Sequence, residues 1–66
     1  MECTAESFPE QYRPNIRTVM DAIDTDAETT MTVMLMTAAL LGLKPEDPKL
    51  AEIILDDCRN VREGLL

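Results

Sequence analysis

Apolar residues recur along this chain at helical spacing in three blocks, and each block is bounded by residues that start or stop helices. In the first, Ile16, Val19, Met20 and Ile23 occupy the i, i+3, i+4, i+7 positions of one face. Tyr12 extends this stripe, while Arg17, Thr18 and Asp21 lie opposite it. Pro14 suits a first helical position but inside a continuous helix would cost about 3 kcal/mol, so the pattern predicts a helix over 14–24 with a break or kink near Arg13. Arg17 and Asp21 are spaced for an i, i+4 ion pair. Upstream, Ser7-Phe8-Pro9-Glu10 has capping-box spacing and predicts a short helical turn, with residues 1–7 expected to fray.

The third block is conventionally amphipathic. Asp47 followed by Pro48 is an N-cap and a first helical proline, and Gly64 can end the helix, which gives a segment over 48–63. Leu50, Ile54, Cys58, Val61 and Leu65 line one face, and Glu52, Asp56, Arg59 and Glu63 the other.

The second block differs from both. Thr25-Asp26-Ala27-Glu28 reads as a capping box, Gly42 can take the left-handed conformation that ends a helix, and Pro45 forbids continuation, so a helix is predicted over 26–42. On a wheel of about 100° per residue, Met31, Met34, Leu35, Ala38 and Leu41 fall on one side. Val33, Met36, Leu40 and Leu43 fall on the other, with only narrow seams of Thr30 and Thr37, and of Thr32 and Ala39, between them. Such a helix has two apolar sides and no polar one. Two flanking helices could cover both sides within one chain. However, Phe8, Ile53, Leu55 and Leu66 also lie off the main stripes, and the surplus apolar surface favours association with a second copy. The expectation is an all-α domain of three helices spanning residues 1–66, a homodimer packed through its second helix. The interface candidates are Met31, Met34, Leu35, Leu41, Val33, Met36, Leu40 and Leu43.

Size makes that support relevant, since a chain of 66 residues buries only roughly 60% of its unfolded surface. Two cysteines, Cys3 and Cys58, give no disulfide framework, and with no histidine they lack the ligand set of a structural zinc site. Thirteen acidic residues against six basic ones give a net charge of −7, which repels phosphate backbones and anionic lipid alike. Residues 1–30 carry seven of those acids against Arg13 and Arg17. The N-terminus is acidic where a secretory signal begins basic, and the apolar run from Met31 to Leu43 is too short to cross about 30 Å of hydrocarbon. The expected location is cytoplasmic, with neither nucleic acid nor membrane as a partner.

Candidate chemistry changes little. Asp24-Thr25-Asp26-Ala27-Glu28 resembles the opening of a calcium loop, but Thr29 stands where that loop needs glycine and Leu35 where it needs a bidentate glutamate. Met34 and Met36 point about 160° apart on a helix and cannot share a soft metal with Cys58. Without histidine no nucleophile has an organised base, and the third block, at a net −1, is a poor reader of DNA. No catalytic, cofactor or metal residue is therefore assigned. The leading expectation is a non-catalytic protein-protein interaction module, a dimeric regulator or adaptor. The second is an acidic inhibitor imitating nucleic-acid charge, carried by Glu10, Asp21, Asp24, Asp26 and Glu28. The third is an enzyme whose site forms between subunits.

Overall fold

Local capping divides the chain much as its sequence implies. A computed structural model describes residues 3–64. Two 3₁₀ turns, Ala5–Ser7 and Glu10–Tyr12, lead into helix α1 (Arg13–Ile23), followed by α2 (Ala27–Leu41) and α3 (Pro48–Arg62). There is no strand among the described residues, so the protein is all-helical.

Each predicted helix is present within a residue or so of its expected ends, and the caps explain why. Pro14 sits in the first turn of α1, and the anticipated break is the passage from 3₁₀ to α geometry at Arg13. Asp24 ends α1 in the left-handed region at φ 50°, a conformation aspartate tolerates better than most residues. Asp26, not Thr25, caps α2: its Oδ1 accepts from Thr29 N at 2.7 Å, so the cap lies one residue beyond the position expected at Thr25. Gly42 ends α2 at φ 69°, and Leu43 N donates to Ala38 O at 2.9 Å, the bond that closes a Schellman end. Asp47 Oδ1 accepts from Lys49 N at 2.9 Å and opens α3 with Pro48 in its first turn.

Ser7 is likewise not the N-cap that its spacing suggests. It lies at the end of the first 3₁₀ turn, and its hydroxyl accepts from Thr4 N at 3.1 Å. Where fraying was expected up to residue 7, Ala5 is buried in the core and the turn is tied to α1. Arg13 provides the tie, donating from Nε to Phe8 O (3.1 Å) and from its terminal nitrogen to Glu6 O (3.3 Å). Arg17 pairs with Glu6 in place of Asp21, because folding this turn back offers a carboxylate from outside the helix. Residues 1, 2, 65 and 66, including the expected stripe residue Leu65 and the off-stripe Leu66, lie outside the described residues.

One core joins all three helices. Ile16 and Val19 of α1, Ala27, Met31, Met34 and Ala38 of α2, and Leu50, Ala51 and Ile54 of α3 are buried together, with Phe8, Tyr12 and Cys58 packed against them. Fully burying a side chain such as Ile16, Met34 or Leu50 contributes about 1.5–3 kcal/mol each. The central element is α1, which packs extensively on both α2 and α3, whereas α2 and α3 touch each other much less. Helix α2 is therefore not sandwiched. At the far end, α3 has four more residues than α1, and Val61, expected on its buried stripe, is 64% exposed. No helix among the described residues is long and apolar enough to cross a membrane.

The loop between α2 and α3 is held by a polar side chain of α1. Asn15 is buried, and its Nδ2 donates to Pro45 O at 2.8 Å and to Asp47 O at 2.9 Å. Two carbonyls can only accept, so the amide must present its NH₂ group to them. Asn15 thereby pins the start of α3 to the start of α1, 32 residues away.

Acid should loosen these joints. The Arg17 guanidinium hydrogen-bonded to Glu6 holds that carboxyl below its usual range, and the Thr29 backbone N–H does the same for Asp26. Both groups are depressed in the folded state, so the stability they contribute is present above their unfolded pKa values and lost as pH falls through the folded ones. Thermal melts should therefore show a falling Tm from about pH 5 downward. Asp26→Asn keeps a good N-cap but cannot titrate, and should make that fall shallower. An unchanged pH profile in Asp26→Asn would rule out its contribution.

Candidate functional site

Helix α2 meets the rest of the chain along one face only. Ala27, Thr30, Met31, Met34 and Ala38 are buried against the core. Small residues at both ends of this stripe, Ala27 and Ala38, let neighbouring helices approach closely enough for Met31 and Met34 to fill the space between. Thr30, read from the sequence as part of a polar seam, is fully buried, and its hydroxyl donates to Asp26 O at 2.7 Å.

Of the eight interface candidates, Met31 and Met34 are thus interior residues of the single chain and present no free surface. Their side of the wheel satisfies itself by packing on α1 and α3. Val33 and Leu43 are half-buried, and the remaining four are exposed: Leu40 by 85%, Met36 by 63%, Leu35 and Leu41 by 48% each. Thr29, Thr32 and Ala39 share the outward side. From Thr29 to Leu43 there is no charged residue, so Met36 and Leu40, with Val33 and Leu43 beside them, form an uncharged outward face about 20 Å long, whereas Leu35 lies at its edge and Leu41 is exposed on the opposite side as the last residue of the helix.

Charge collects beyond both ends of the strip. Asp24, Asp26 and Glu28 are exposed at its N-terminal end, where the helix dipole accommodates them. Lys44 is exposed just beyond its C-terminal end. The two ion pairs among the described residues, Arg17 with Glu6 and Arg59 with Asp56, involve neither group.

Elsewhere the surface is shallow. An open groove between α1 and α3 is floored by Ala22 and Cys58 and edged by Leu55, Arg59 and Arg62. Arg62 reaches across its end to Ala22 O at 3.5 Å, a long and weak bond. Cys3 is exposed, Cys58 is half-buried, and both are free thiols. Among the described residues no three acids or cysteines gather into a set that could hold a metal ion. No buried side-chain polar atom among them lacks a partner.

The sequence offered one overlooked clue to this arrangement. Asn15 occupies a position four residues before Val19 on the inward side of α1, and a polar residue on an apolar stripe calls for a buried partner. Comparison with family models, with curated proteins and with solved structures finds no match for this chain.

Proposed function

We propose that the protein is a non-catalytic interaction module that works as a homodimer, with the outer face of α2 as its interface. The observation that carries this reading is the uncharged outward strip centred on Met36 and Leu40, left open beside the core of the chain. A second copy removes that strip from water on both partners at once, and isologous pairing about a twofold axis is the commonest route to a soluble oligomer. The small size of the chain adds weight, since a 66-residue domain gains a large fraction of its stability from any added apolar burial. A regulator or adaptor role follows from a rigid helical pair that leaves the α1–α3 side free for a further protein.

Light scattering on a size-exclusion column, over a wide concentration range and at low and high salt, tests this. The expected result is a mass of twice 7.4 kDa that persists at high salt, because apolar contacts are not screened. A monomer at every concentration refutes the dimer. An assembly or partner complex that dissolves on adding salt would instead support the acidic-mimic reading, in which Glu10, Asp21, Asp24, Asp26 and Glu28 face a basic groove.

A further inference from the structure

We infer that two copies of α2 pair antiparallel, about a twofold axis passing at Met36. This rests on the dimer reading above and adds the orientation and register to it. The first argument is electrostatic. A parallel pair would set Asp24, Asp26 and Glu28 of both copies side by side and align the two helix dipoles, which is repulsive at every point. An antiparallel pair separates the two acidic ends and sets each beside the other copy's α2–α3 loop, where Lys44 comes first and Lys44 and Lys49 balance Glu46 and Asp47. Glu28 and Lys44 are equally far from Met36 along the chain, so a single axis places both pairs opposite one another.

The second argument is shape. With Met36 on the axis, Thr32 faces Leu40 of the second copy, Val33 faces Ala39, and Thr29 faces Leu43. In each pair a larger side chain meets a smaller one, so two helices can close to the usual 8–10 Å separation without a void. Parallel pairing sets Leu40 against Leu40 and Thr32 against Thr32, alternating crowding with gaps. Thr32 and Leu40 are both exposed, so substitutions there leave the core of each chain untouched.

Cysteine coupling reads the orientation directly. In a Cys3→Ser, Cys58→Ala background, Thr32→Cys and Leu40→Cys are made separately and oxidised alone and as an equal mixture. Circular dichroism and light scattering first establish that each variant folds and what mass it has. A disulfide needs Cα atoms within about 7 Å, and residues 32 and 40 lie about 12 Å apart along one helix, so no bond can form within a chain. The expected result is a covalent dimer from the mixture that neither variant gives alone. Thr29→Cys with Leu43→Cys should repeat it one turn further out. Self-coupling of each variant alone overturns the antiparallel arrangement while leaving the dimer intact. A dimeric mass with no coupling in any sample overturns both the register and the face. A monomeric mass for the unsubstituted chain removes the dimer reading and this inference with it.

Discussion

Asn15→Asp is expected to lower the stability of the protein by about 3–5 kcal/mol at neutral pH, and Asn15→Ala by about 2 kcal/mol, or roughly 10 °C in Tm. The alanine variant loses two hydrogen bonds and leaves the carbonyls of Pro45 and Asp47 to find water. The aspartate variant does more damage, since it turns a donor into an anion facing two carbonyl oxygens inside a buried position. An uncompensated buried charge costs about 3–5 kcal/mol, against a total stability of about 3–10 kcal/mol for a chain of this length. Acid should partly rescue it: a buried carboxyl has a raised pKa, and once protonated it can donate one hydrogen bond again. Urea titrations of the three proteins followed by circular dichroism, at pH 7 and near pH 4.5, make the comparison. If Asn15→Asp is as stable as the native chain at pH 7, the clamp between α1 and the α2–α3 loop contributes nothing.

Leu40→Asp and Met34→Asp should fail in opposite ways, although both place a carboxylate on an apolar side of the same helix. Met34 is fully buried, so a charge there has no water and no partner, and the chain should lose its cooperative fold. Leu40 is 85% exposed in the single chain, so Leu40→Asp should keep the helical spectrum of the native protein. Its effect should be on assembly: a charge at the interface is expected to weaken dimerisation by at least about 100-fold, or about 2.8 kcal/mol. The concentration dependence of Tm should disappear with it, because a monomer melts independently of its own concentration. Light scattering and thermal melts on the two variants separate these outcomes. A Leu40→Asp protein that dimerises as well as the native chain would remove the outer face of α2 from the interface.

Much of the helical framework could be read from short-range features. Expected helices over 14–24, 26–42 and 48–63 correspond to α1, α2 and α3 because Pro14, Gly42, Asp47 and Pro48 act on the backbone within a turn of themselves. Errors at this level were small and local. Asp26 took the cap assigned to Thr25, and Ser7 acts as an acceptor for Thr4 at the end of a turn in place of opening one. The stripes of α1 and of the first three turns of α3 also pointed inward as their periodicity implied, since each had only one apolar side to bury.

The side chosen by α2 could not be read in this way. Both of its sides are apolar, so periodicity gives no preference, and the buried side is the one where Ala27 and Ala38 permit close approach to the other helices. That choice turned Met31 and Met34 into core residues and left Met36 and Leu40 outside. Arg17 took Glu6 over Asp21, and Asn15 found its acceptors at positions 45 and 47, for the same reason: these partners are far away in the chain and meet only once the helices pack. Capping and helical periodicity act over about four residues and are encoded where they act. Which face is buried, and which polar group meets which, depends on a close-packed arrangement of all three helices at once.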